Sequence, residues 1–84
     1  MNNLDPIDAI VNHMKKRRLI TNRECRQLLD LSYDQAIFLL GEMRKVGLIV
    51  RKGVSSGTHY VLSDSPALAK GVAELKEKVI KRLT

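Results

Sequence analysis

Two short polar tetrads constrain this chain more than any other feature. Thr21-Asn22-Arg23-Glu24 and Ser32-Tyr33-Asp34-Gln35 each place a hydroxyl first and a carboxylate or carboxamide three residues later. At that spacing the hydroxyl accepts from the amide of the last residue, whose side chain reaches back to the first amide. Each tetrad therefore satisfies two of the unpaired amides that open a helix. Two helix starts eleven residues apart leave room for one short helix, to about Leu29, and a tight turn at Asp30-Leu31. The following helix runs to about Val46, and Gly47 closes it. Two helices joined in this way are the sequence form of a helix-turn-helix.

The flanks extend this frame. Asp5-Pro6 is an N-cap followed by Pro at the first helical position, and Ile7, Ile10, Val11 and Met14 recur on one helical face. That helix should reach about Arg18, with Leu19-Ile20 as a short extended link. After Gly47 the period becomes two. Leu48–Lys52 reads as a strand, residues 53–57 as a loop and Thr58–Leu62 as the return strand. Ser65-Pro66 opens a last helix expected to run to about Leu83, with Gly71 as its weak point. The expected fold is mainly α with a small β-hairpin. It is a winged helix-turn-helix, three helices plus a two-stranded wing, with an added C-terminal helix. The expected division is a domain over residues 1–64 and a helical element over 65–84.

Composition removes several functional classes. The 84 residues make one small domain with a modest core, which favours help from dimerisation. The single cysteine excludes an internal disulfide and a multi-cysteine metal site. Cys25 reads as buried packing ahead of a redox sensor. His13 and His59 are far apart and lack further ligands, so no metal is expected. No apolar run approaches the ~18 residues of a membrane span. The N-terminus lacks the pattern of a signal peptide, and Met1 reads as the start of a whole chain. There is no Gly-rich phosphate loop, nucleophile–base pair or acidic dyad, so neither an enzyme nor a cofactor is expected. Fifteen Lys and Arg against nine Asp and Glu give a net charge of +6. Such a surplus favours a polyanionic partner, with solubility as the plain alternative. The run Lys15-Lys16-Arg17-Arg18 suits phosphate contact or simply a helix C-terminus.

The segment from Ile20 to Leu62 resembles a bacterial or archaeal winged helix-turn-helix domain. It is most similar to the C-terminal module of RecG-related, ATP-dependent helicase-like and transcriptional-regulator proteins. The resemblance rests on "ITNRE" opening the second helix, "LS" before the third, "GLI" after it and "GTHYVL" on the second wing strand. It covers about half the chain, and no helicase motif accompanies it. It implies a third helix in the major groove of double-stranded DNA, with Tyr33, Asp34 and Gln35 toward base edges. Gln35 suits adenine, although its capping role competes. Ser32 and the amides beside it suit a phosphate. Arg23 and Arg26, with Arg51, Lys52, Ser55, Ser56, Thr58 and His59 of the wing, are the expected backbone contacts.

Apolar positions raise two further questions. Ala36, Leu40 and Met43 share a core face of the third helix, which leaves Ile37 and Phe38 as candidates for the groove-facing side. Three readings stay open for them: added core, contact with thymine methyls or a groove edge, and a protein-binding or dimer surface. Glu42, further along that face, would repel phosphates. In the last helix, Leu68, Val72, Leu75, Val79 and Leu83 form a stripe resembling a short coiled-coil seam. The stripe packs on its own domain or forms a homodimer interface, and the dimer is the favoured expectation. The expected function is a homodimeric, DNA-binding transcriptional regulator in the cytoplasm, at the nucleoid. A protein-interaction module in a larger complex and a small non-specific architectural DNA-binding protein are the alternatives.

Overall fold

The computed structural model describes residues 5–65 and 69–83. It contains α1 (Pro6–Arg17), β1 (Leu19–Ile20), α2 (Asn22–Leu29), α3 (Tyr33–Lys45), β2 (Ile49–Lys52), β3 (His59–Leu62) and α4 (Val72–Leu83), with a 3-10 turn at Ser55–Gly57. The helix starts follow from their caps. Asp5 Oδ1 accepts from the Asp8 amide at 2.8 Å ahead of Pro6. Both reciprocal boxes close. Glu24 N donates to Thr21 Oγ1 at 3.1 Å and Thr21 N to Glu24 Oε1 at 3.0 Å. Gln35 N donates to Ser32 Oγ at 3.1 Å and Ser32 N to Gln35 Oε1 at 2.9 Å. Asp30, at φ +56°, turns the chain between α2 and α3.

The sheet has three antiparallel strands in the order β1-β3-β2. Leu19-Ile20 is thus a strand rather than a link, and it occupies the second edge of β3. Its register, Leu19 opposite Val61 and Ile20 opposite Tyr60, carries Ile20 fully into the core. Side chains alternate across a sheet. Ile20, Tyr60, Ile49 and Leu62 therefore share the face toward the helices, while Leu19, Val61 and Val50 cross the other face.

One core joins all the helices. It holds Ile7, Ile10 and Met14 of α1, Cys25 of α2, Ala36, Leu39, Leu40 and Met43 of α3, and Leu75 and Val79 of α4. The last helix departs from expectation in two respects. It begins at Val72, because Gly71 has φ +77°, outside right-handed helical space. Ala69 and Lys70 are non-helical, and the expected start at Pro66, with Leu68, lies outside the described residues. Its apolar stripe is also not a free seam. Leu75 and Val79 are buried in the chain's own core, and Val72 and Leu83 pack against it. The helix that follows the β2–β3 hairpin packs across α1 and α3.

Ion pairs fix α4 in that position. Lys76 Nζ lies 3.1 Å from Asp8 Oδ1 and 3.4 Å from Asp5 Oδ2. Burial alone would raise the Asp5 pKa, but the Asp8 amide and Lys76 outweigh it and hold it below the ordinary value. Glu42 on α3 is bound by Lys78 of α4 and by Lys45 at 3.0 Å. Hydrogen bonds from Lys78 and then Lys45 hold its carboxyl below the ordinary 4.5. A depressed carboxylate pKa stabilises the fold above the unfolded value and ceases to do so as pH falls through the folded one. Glu42→Gln is therefore expected to lower stability at neutral pH and to flatten the loss of stability below pH 4.5, measured by urea unfolding across an acid series. An unchanged acid limb would remove Glu42 from that role.

Candidate nucleic-acid interface

The helical period sorts α3 into three faces. Ala36, Leu39, Leu40 and Met43 point into the core. Phe38 and Glu42 point toward α4. Tyr33, Ile37, Gly41 and Arg44, at steps of four, four and three, form a row on the outer side. This row is the floor of an open cleft of about 740 Å³. Arg23 and Arg26 of α2 stand on one side of it. Arg51, Ser55, Ser56, Thr58 and Tyr60 of the hairpin stand on the other. Four arginines line the cleft and no carboxylate does. A second hollow shares Gly41, Arg44 and Arg51 and adds Lys45, extending the cationic surface along the end of α3.

The cleft is held in shape. Arg26 Nε donates to Asn22 Oδ1 at 2.7 Å, and the Arg26 guanidinium carbon lies 5.7 Å from the Tyr33 ring centre. Both contacts order a long side chain before any ligand arrives, which lowers the entropic cost of binding. The hairpin tip is tight. A Cβ at Gly53, which has φ +76°, would lie 2.2 Å from the Gly57 carbonyl oxygen, so only glycine fits. His59 Nδ1 donates to that same Gly57 oxygen at 2.8 Å.

The residues expected to meet a ligand do not all share one surface. Arg23, Arg26, Tyr33, Ile37, Arg51, Ser55, Ser56 and Thr58 come together in the cleft. Asp34, Gln35 and Phe38 do not. They line a small hollow of about 160 Å³ with Arg82 and Leu83 of α4. The side-chain oxygen of Gln35 accepts from Ser32 N in the cap, and the Ser32 hydroxyl oxygen accepts from Gln35 N. Phe38 is half-buried against the core, with Arg82 at 4.9 Å and Lys78 at 5.9 Å from its ring centre. Phe38 thus belongs to the α3–α4 contact, whereas Ile37, 48% exposed, faces the cleft. Lys52 and His59 pair opposite each other one position beyond Arg51 and Tyr60, so alternation puts them on the other face of the sheet. Glu42 lies outside the cleft and is neutralised by two lysines.

Sequence reasoning missed Arg44 and Gly41. Their signal was the row itself, Tyr33, Ile37, Gly41 and Arg44, legible once the core phase of α3 is fixed. No group of three or more His, Cys, Asp or Glu among the described residues could hold a metal, and no helix among them is long and apolar enough to cross a membrane. Burial pushes the Cys25 thiol up to about 12, only partly offset by Arg26, so it is packing rather than a nucleophile. Neither a family model nor a curated protein sequence matches the chain.

Proposed function

We propose that this chain is a winged helix-turn-helix protein that binds double-stranded DNA. In this reading the outer row of α3 enters the major groove, and the β2–β3 hairpin is the wing. The observation that carries it is a cleft lined by four arginines and no carboxylate, with an α-helix as its floor. A helix in the major groove is flanked by two phosphate ridges. Arg23 and Arg26 suit one ridge, and Arg51 with Ser55, Ser56 and Thr58 suits the other. Use as a transcriptional regulator follows if the α3 row confers a sequence preference. The competing reading, a protein-interaction module, draws support from Leu19 and Val50, exposed on the outer face of the sheet.

The deciding experiment is fluorescence anisotropy of a labelled random 30-base-pair duplex at about 50 and 200 mM salt. Phosphate binding at about five positions weakens the affinity about 500-fold between those salts. Absence of binding at the lower salt would reject the proposal and turn attention to a protein partner.

Gly41 supplies an independent check. Glycine inside a helix costs about 1 kcal/mol relative to alanine, and a Cβ there would meet nothing within 4 Å beyond its chain neighbours and the backbone of its own helix turns. Packing inside the chain therefore gives no reason for the glycine, but close approach of an external ligand does. Gly41→Ala is expected to stabilise the fold by about 0.5–1 kcal/mol while weakening duplex binding several-fold. A variant that is both more stable and equally tight would show that nothing approaches the backbone at Gly41.

A further inference from the structure

We propose that the α3 row reads the C5-methyl group of pyrimidines in the major groove, with Ile37 as the specificity-determining residue. The inference rests on the duplex-binding reading and deepens it.

The row runs from Tyr33 to Arg44, about 16 Å at 1.5 Å per residue, or roughly five base pairs at 3.4 Å per step. Across that span its side chains are a phenol, a branched alkyl group, a bare glycine and a guanidinium. The usual bidentate partner of adenine is a carboxamide, and the cleft has none to offer. The Gln35 oxygen accepts from Ser32 N, and the residue lies outside the cleft lining. Asn22, which does line the cleft, accepts from Arg26 through its oxygen. A·T and G·C pairs must then be told apart by other features. In the major groove these are the guanine acceptors, which suit Arg44, and the thymine methyl, which suits an alkyl side chain.

Ile37 meets that requirement. It is 48% exposed on the cleft floor, one turn from Tyr33, which is 57% exposed. On the other side it is followed by Gly41, where nothing rises from the helix. The bare backbone lets the groove floor come close enough for a methyl to reach the Ile37 side chain. Phe38, the adjacent apolar residue, is covered by Arg82 and Lys78 and does not compete for this role. Thymine and 5-methylcytosine present the same methyl at the same position, so both satisfy the chemistry.

The test uses the full chain and four duplexes of equal length. These are alternating A·T, the same duplex with every thymine replaced by uracil, alternating G·C, and the same duplex with every cytosine carrying a 5-methyl group. Loss of one buried methyl is expected to weaken binding about fourfold. That ratio appears between thymine and uracil, between 5-methylcytosine and cytosine, or in both comparisons, and thereby tells the two sources apart. In Ile37→Ala the ratio falls to about one, while the salt slope of binding stays that of the parent chain. Because Ile37 is outside the core, this variant folds, which a melting curve verifies. Binding without methyl discrimination in either comparison overturns this inference and leaves duplex binding standing. Discrimination that persists in Ile37→Ala also overturns it, by assigning the ratio to DNA shape. Absence of binding to all four duplexes rejects the underlying reading instead.

Discussion

Replacing Arg26 and Arg51 together with alanine is expected to weaken binding to a random 30-base-pair duplex on the order of 100-fold at 50 mM salt. The figure follows from two charge-assisted contacts at about 1.5 kcal/mol or more each. The slope of log affinity against log salt should fall by about two, one for each phosphate no longer neutralised. The two residues stand on opposite sides of the cleft, one on α2 and one on β2. In the proposed reading they report on both phosphate ridges at once. The matched control is Lys15→Ala with Lys16→Ala, which removes the same charge from the exposed last turn of α1. If binding depends only on net charge, the two double variants weaken equally. If it depends on the cleft, the lysine variant retains most of its affinity. Equal loss in both would sink the cleft as the binding site, even if the chain binds DNA.

The parts of this architecture legible in the sequence are those decided within four or five residues. The boxes at Thr21–Glu24 and Ser32–Gln35 closed as the spacing requires, because a cap is built from its own helix turn. The core phase of α3 followed from Ala36, Leu40 and Met43, and the structure added Leu39. Four helices and a small antiparallel sheet were expected. The third strand was not, since two residues carry too little pattern to distinguish a strand from a link. Ile37 and Phe38 resisted for another reason. They are adjacent in sequence and differ by about 100° around the helix, and which of them stays open depends on where α4 lies. That position is set by Leu75, Val79, Lys76 and Lys78, more than thirty residues away. The same distance hid the fate of Glu42. On α3 alone it is an exposed carboxylate, and only α4 brings Lys78 to it. Half of the candidate site was legible, since Arg23 and Arg26 of α2 and Arg51 of the β2–β3 hairpin needed only the order of elements. On the floor, Tyr33 and Ile37 were also expected, and Gly41 and Arg44 follow from the core phase of α3; only the choice between Ile37 and Phe38 needed the tertiary arrangement.

The second large effect concerns α4. Leu75→Ala with Val79→Ala removes the two side chains of α4 that are buried in the common core. The leucine truncation costs about 2–5 kcal/mol. The valine, losing about two buried carbons at about 0.8 kcal/mol each, adds about 1.6. A domain of this size holds about 4–13 kcal/mol at the usual 0.05–0.15 per residue, so the double variant sits at or near the loss of its fold. Circular dichroism and urea unfolding are expected to show a midpoint shifted far down or no transition at all. The parent chain carries the complementary measurement. If these residues stabilise the monomer's own core, the parent's urea midpoint is the same over a hundredfold range of protein concentration. If they form a seam between two copies, the midpoint rises with concentration. The double variant would then persist as a folded monomer with its cleft intact. That outcome would return α4 to the role its heptad-like stripe suggests in isolation. The burial of Leu75 and Val79 against α1 and α3, with Lys76 and Lys78 paired to Asp5, Asp8 and Glu42 at the helix flanks, argues for the first result. A helix held by both apolar burial and ion pairs to two different elements is part of the fold. Through Phe38 and Glu42 it also determines which face of α3 remains open to a ligand.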